Sequence, residues 1–161
     1  MPKSFRIYLA GPLFTLAERR LNVELARELT KLIPRADIIL PQSRAAQFVS
    51  NGKMDFGNVV RDCIRSIETA DAVVAILDGS DSDSGTAWEC GYAYAQRKPI
   101  VGVRTDLRSS EDGGLNAMLQ RTCDQVIVFP ATRETVKPLA REIAAILRRL
   151  LNSKRTTAKT R

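Results

Sequence analysis

The chain has 161 residues, 44% of them apolar and 27% charged, enough for one soluble domain with a real core and little more. It has no histidine, and its three cysteines, Cys63, Cys90 and Cys123, sit at unrelated spacings. That excludes histidine-based triads, most zinc sites and a disulfide framework, and points to a reducing cytoplasm.

Four of the seven net positive charges lie in the last ten residues, NSKRTTAKTR, leaving +3 for the rest. Residues 1–151 therefore read as one domain and 152–161 as a basic, disordered tail. The body shows no basic stripe interleaved with aromatic residues, so no nucleic-acid partner is expected. Lys3 and Arg6 precede an apolar run as in a signal peptide, but Gly11-Pro12 breaks that run at a strand's length. No stretch is long enough to span a membrane.

Taken in order, Phe5–Ala10 is a short apolar strand ended by Gly11-Pro12. From Leu13 to Leu32, leucines and Val23 recur at helical spacing, with Glu and Arg on the other face. Ala36–Leu40 is a second strand, stopped by Pro41. Residues 42–57 are a polar loop long enough to have a job, such as a lid. Asn58–Thr69 is a helix with Val59, Val60, Cys63, Ile64 and Ile67 on one side.

Ala72–Leu77 reads as a fully buried strand. The acidic loop Asp78–Gly85 follows, then a helix that Ser84 or Thr86 would cap. Ile100–Val103 is a strand, 104–114 a polar loop with Gly113-Gly114, and Asn116–Arg121 one or two helical turns. Val126–Phe129 is a fifth strand and Thr132–Leu151 a closing amphipathic helix. Strands alternating with helices give a parallel sheet covered on both faces. The expected fold is α/β, a single-domain flavodoxin-like three-layer sandwich with a five-stranded parallel sheet.

Ligands in such folds bind outside the carboxyl ends of the strands. No glycine-rich dinucleotide or phosphate loop is present. Asp78, Asp81 and Asp83 suggest calcium, but Gly85 stands where the third acidic ligand of an EF-hand belongs, so no metal or cofactor is expected. Glu89 is the exception to explain. A helical glutamate is ordinarily a solvated charge. Here its neighbours in SGTAWECGYAYAQ are apolar or small, so the helix packs on several sides and a lone carboxylate needs a reason. Gly85 and Gly91 leave room for a ligand or a backbone beside it. If the first strand is a neighbour, its loop and Tyr8 share one crevice with Asp83 and Glu89. Carboxylates, a phenol and aromatic rings together are equipment for glycosidic-bond chemistry.

These residues also carry a resemblance. YLAGPLF at 8–14, TADAVVAILDG at 69–79, DSGTAWECGYAYA at 83–95 and GLNAML at 114–119 resemble the nucleoside 2-deoxyribosyltransferase family, in order, over nearly all of 5–130. The resemblance implies that Glu89 is the nucleophile of a covalent 2-deoxyribosyl intermediate, formed with retention. It implies that Tyr8 holds and tunes that carboxylate and that Asp83 contacts the nucleobase and helps to protonate it. It places Gly11 and Gly85 at the substrate, Phe14 stacked on the base and Asp62 near a second acidic or amide position, in uncertain register. Asn116 and Met118 would be lent by a neighbouring subunit of a homo-oligomer with shared active sites.

The same superfamily contains hydrolases of nucleoside 5′-monophosphates. In those that act on deoxynucleotides, serine stands at the positions matching Asp83 and Asn116, and Asp83 would repel a phosphate. A nucleoside and a free base are therefore the expected partners, although Arg19 and Arg20 would be the cations to reach a phosphate. A binding module without catalysis is the remaining reading. Of the other residues, Trp88 reads as core or subunit contact, Cys90 as an inert buried thiol, and Arg148-Arg149 as a solvated helix face.

Overall fold

The computed structural model describes residues 5–106, 115–129 and 133–159, from 153 onward as backbone alone. The loop segment 107–114 with Gly113-Gly114, and the expected helix start at Thr132, lie outside the described residues.

Five strands form one parallel sheet: β1 (Phe5–Ala10), β2 (Ala36–Ile39), β5 (Ala72–Ile76), β6 (Ile100–Arg104) and β7 (Gln125–Val128), in the spatial order β2-β1-β5-β6-β7. This is the flavodoxin-like order, with its switch point between β1 and β5. Helices α1 (Leu16–Leu32) and α6 (Lys137–Lys159) cover one face; α3 (Phe56–Thr69), α4 (Ser84–Ala95) and α5 (Ala117–Thr122) cover the other.

The period of two along each strand decides what faces which layer. In β1, Ile7 and Leu9 join the core under α1 and α6, while Tyr8 and Ala10 join the core under α3 and α4. In β5, Val74 and Ile76 face the first layer and Val73 and Ala75 the second. All five residues of β5 are buried, as the continuous apolar run requires. Each such Val or Ile side chain contributes roughly 1.5–3 kcal/mol.

Several expectations are corrected. α1 begins at Leu16, not Leu13, because Thr15 and Glu18 form a capping box. Leu16 and Val23 are exposed, since the buried stripe runs through Leu25 and Leu29, with Asn22 and Glu28 buried beside them. The polar stretch 42–57 is largely ordered: α2 (Pro41–Ala45), a 3₁₀ turn, and a small antiparallel hairpin of β3 (Val49–Ser50) and β4 (Lys53–Met54). Its turn is built by Asn51 and Gly52, both at positive φ. α3 starts at Phe56 because Asp55 caps it, and Val60 lies outside, exposed. α6 runs from Lys137 to Lys159, so its start lies beyond the expected Thr132.

Candidate active site

The site is assembled at the carboxyl ends of β1 and β5. Because Tyr8 faces the α4 layer, its hydroxyl meets α4 and donates to Glu89 Oε1 at 2.5 Å. Tyr8 is fully buried. Burial first, then the anion of Glu89 and the thiol of Cys63, push its phenol far above the ordinary range, so it remains a proton donor. Burial likewise raises the Glu89 carboxyl to about 7; the Tyr8 hydrogen bond opposes that shift and the charge of Asp83 adds to it. Burial and the Asp83 charge thus push this carboxyl up toward neutral pH while the Tyr8 hydrogen bond holds it down, the kind of perturbed group found at functional sites.

Asp83, not Ser84 or Thr86, caps α4. Its Oδ2 accepts from the Thr86 backbone N at 2.8 Å and from Thr86 Oγ1 at 2.9 Å. A cap takes one carboxylate oxygen and leaves Oδ1 for other work. Gly85 gives this cap its room, since a Cβ there would meet Asp83 Oδ2 at 3.2 Å.

Asp83 also lines a cavity of about 310 Å³ with Pro12, Phe14, Asn22, Asp78 and Asp81. Phe14 stands 72% exposed at its edge, an available ring. Gly11 sits beneath, where a Cβ would press on Ile76 at 3.2 Å and on Asn22 Oδ1 at 3.3 Å. Its smallness is explained by packing between β1, β5 and α1.

The other expected site residues are placed differently. Asp62 points to Arg44, which it binds in two-pronged fashion at 2.6 and 2.7 Å. That guanidinium holds the Asp62 carboxyl below its ordinary range. The α3 side chain beside Tyr8 is instead the next one, Cys63. Asn116 caps α5, accepting from Met118 N at 3.0 Å. With Met118 it lines a separate cavity beside Ala87 and Gly91. At about 100° per residue, Ala87 and Gly91 lie on the side of α4 opposite Glu89. Within one chain, then, Tyr8, Glu89 and Asp83 come together and Asn116 and Met118 do not join them.

Arg19 spends its guanidinium on the carbonyls of Leu13 and Phe14, at 3.2 and 3.0 Å, bracing the first loop. Arg20 is exposed and lines neither of these cavities. Trp88 is 53% exposed and stacked on Tyr92, so it is not core. Cys90 is fully buried, and burial pushes its thiol up, which makes it inert. Among the described residues, no three His, Cys, Asp or Glu side chains converge to hold a metal ion.

Three contributors were missed from the sequence. Cys63 borders Tyr8. Asn22, buried on α1, ties the Pro12 carbonyl to Gln42. Arg104, 2% exposed, ties the acidic loop to β6 through the carbonyls of Leu77 and Gly79 and through Asp106. The only hint of Arg104 was a charge directly following an apolar strand.

Known proteins share this fold. The family model described as nucleoside 2-deoxyribosyltransferase matches residues 7–120. A conserved protein from Enterococcus faecalis V583 is similar in structure with a TM-score of 0.69 and 28% identity, over 86% of this chain and 96% of that one. The 2-desoxiribosyltransferase from Leishmania mexicana follows with a TM-score of 0.60 and 27% identity, over 78% and 91%. Uncharacterized protein UU063 of Ureaplasma parvum serovar 3 is 34% identical over 106 residues, which are 62% of this chain and 66% of that protein, just under two thirds of its length. Because the family match runs from β1 through most of α5 and so takes in every element that builds the crevice, this chain belongs to the nucleoside 2-deoxyribosyltransferase family.

Proposed function

We propose that this chain transfers 2-deoxyribose from one nucleobase to another through a glycosyl ester on Glu89, as a homo-oligomer with shared sites. The observation that carries the reading is the Tyr8–Glu89 hydrogen bond at 2.5 Å, made by a buried phenol to a half-buried carboxylate at the carboxyl end of the sheet. Glu89 Oε attacks C1′ of the sugar. The C1′–N bond breaks, its electron pair leaves with the base, and the base takes a proton. A second base then attacks C1′ from the vacated face; the C1′–Oε bond breaks and returns the Glu89 carboxylate, the incoming base gives its proton to the carboxylate that protonated the first, and retention results from two inversions. The anion of Glu89 also stabilises the oxocarbenium-like transition state in a site with little water.

Without histidine, a carboxyl group is the natural proton donor, and Asp83, which lines the cavity and uses only Oδ2 in the α4 cap, is assigned that task. Phe14 offers a face for the base. The cavity wall supports a nucleoside over a nucleotide. Glu18, Asp78, Asp81 and Asp83 line it, and the guanidinium of Arg19 on α1 is occupied by the carbonyls of Leu13 and Phe14. A phosphate would meet acceptors there and no donor fork.

The test is product analysis. Incubation with deoxyinosine and adenine is expected to yield deoxyadenosine, and Glu89→Ala is expected to lower exchange by at least about a thousandfold, as loss of a covalent nucleophile does. If base is released only from a 5′-monophosphate, the transfer reading fails. If Glu89→Ala turns over near normally, the assignment of Glu89 fails.

A further inference from the structure

The cavity beside Asp83 is one-sided in its hydrogen bonding. Of the side chains that line it, Glu18, Asn22, Asp78, Asp81 and Asp83 bring oxygen acceptors, and only Asn22 also brings a donor. That donor is spent. The two protons of Asn22 Nδ2 go to the Pro12 carbonyl at 2.9 Å and to Gln42 Oε1 at 3.2 Å. Gln42 is oriented in turn, because its Nε2 donates to the Arg19 carbonyl at 3.0 Å. A reversed amide would set oxygen against oxygen there. The chain of amides thus has one direction, and Asn22 is left with its oxygen to offer the cavity it lines. Asn22 is 4% exposed, and its Oδ1 meets no donor among the described residues. A buried acceptor without a partner is costly, and in a binding cavity a ligand can supply the missing donor.

The carboxylates carry the same surplus. Asp83 spends Oδ2 on the α4 cap, and Glu18 spends Oε2 on the backbone N–H groups of Phe14 and Thr15. The second oxygen of each, and both oxygens of the exposed Asp81, have no hydrogen-bond partner among the described residues. Asp78, by contrast, has both oxygens on Thr105.

We propose that this cavity selects nucleobases by their donors: it takes bases with an exocyclic amino group, such as adenine and cytosine, in preference to their oxo counterparts. The inference rests on the reading of Asp83 and Phe14 as walls of a base site. Adenine and cytosine carry two N–H bonds on one exocyclic nitrogen, where hypoxanthine and uracil carry a carbonyl. An amino group turned to this wall donates to carboxylates in charge-assisted bonds. A carbonyl in its place meets oxygen against oxygen and finds no spare side-chain donor. The oxo bases do carry a ring N–H beside the carbonyl, but that is one donor where the amino group offers two. The proton assigned to Asp83 goes to the ring of the leaving base, not to an exocyclic oxygen. The rule cuts across ring size, because it sorts by the exocyclic group and not by purine against pyrimidine.

Binding can be read without turnover in Glu89→Gln protein. Isothermal titration calorimetry compares two pairs of nearly equal shape: 2′-deoxyadenosine with 2′-deoxyinosine, and 2′-deoxycytidine with 2′-deoxyuridine. The amino member of each pair is expected to bind at least about tenfold more tightly, the scale of a hydrogen bond to a charged acceptor set against an unpaired carbonyl. Asp81→Asn and Glu18→Gln each put an amide donor where only acceptors stood, and glutamine still completes a capping box. Added together to Glu89→Gln, they are expected to narrow both ratios by about threefold or more.

Equal binding within either pair, tighter binding of an oxo member, or ratios that the added substitutions leave unchanged overturn the proposal. If the combined variant does not fold, Asp81→Asn alone, at an exposed loop position, carries the same expectation. An amino preference in Glu89→Gln protein, beside a wild type that transfers no sugar, would overturn the functional reading alone. No binding of any of the four nucleosides would overturn both.

Discussion

At the scale of single residues, the physics of Glu89 makes a claim about stability as well as chemistry. Burial lifts its carboxyl from 4.5 to about 7 in the folded chain. Folding therefore favours the protonated form. Between pH 4.5 and 7 the unfolded chain is ionised while the folded chain still holds the proton, so the stability due to this group declines as pH rises through that window. Above it, the native state carries the full cost of a buried anion. Glu89→Gln keeps the shape and an acceptor for Tyr8 but removes the charge. Chemical denaturation should find it more stable than wild type by about 1–3 kcal/mol at pH 8, with the gain vanishing near pH 4. A gain independent of pH would mean that the carboxylate is not desolvated. The opposite trend holds for activity, which requires the anion and should rise with pH toward neutrality. Glu89 and Asp83 were legible in the chain because both stand on one short motif, six residues apart. Cys63 was not legible as a neighbour of Tyr8, because the fold alone brings it to the core cluster of a residue fifty-five positions away in the chain.

At the scale of elements, the loop from β5 to α4 decides whether Asp83 and Glu89 arrive together. That loop is anchored to the end of β6. Both oxygens of Asp78 accept from Thr105, through its backbone N and its hydroxyl, at 2.5 Å each. Gly79 N donates to Asp106 Oδ2 at 2.8 Å, and Arg104 holds the Gly79 carbonyl at 2.9 Å. The pivot is Gly79, at φ +115°, where a Cβ would lie 2.5 Å from the Asp81 carbonyl oxygen. Both the backbone angle and that contact exclude a side chain. Gly79→Ala is expected to cost about 1–3 kcal/mol and to lower kcat more than it raises KM, because the loop displaces Asp83 while Phe14 and the first loop stay in place. Thermal unfolding and a kcat–KM comparison check this; an unperturbed kcat would mean that the loop can re-form without its pivot. The alternation of strands and helices was readable from hydrophobic period alone. The hairpin within 42–57 was not, since two-residue strands leave no period to read. The Asn51-Gly52 pair was its one local signal.

At the scale of the whole molecule, the proposed nucleophile Glu89 and the two residues expected to be lent by a neighbouring subunit, Asn116 and Met118, lie on opposite sides of α4. In the same chain Asn116 and Met118, at the start of α5, line a cavity with Ala87 and Gly91, on the side of α4 opposite Glu89. The proposed shared site would need a second copy to bring all three together, and the exposed apolar side chains fit that proposal: Trp88 on α4 is 53% exposed and Met118 is 75% exposed. Mixed oligomers test it. Glu89→Ala lacks the nucleophile, and Met118→Ala lacks the lent contact while sparing the Asn116 cap of α5. Each alone should have little activity. If sites are shared, a hybrid of the two variants contains one site with an intact Glu89 from one copy and an intact Met118 from the other. Random re-association of a dimer should then recover roughly a quarter of wild-type sites, and larger rings should recover a comparable share. Activity after mixing, unfolding and refolding together, against the same variants refolded apart, measures this directly. Mixtures no more active than their parts, with hybrids confirmed by native mass spectrometry, would place every working residue within one chain. Asn116 and Met118 would then be left as the surface of a cavity behind α4.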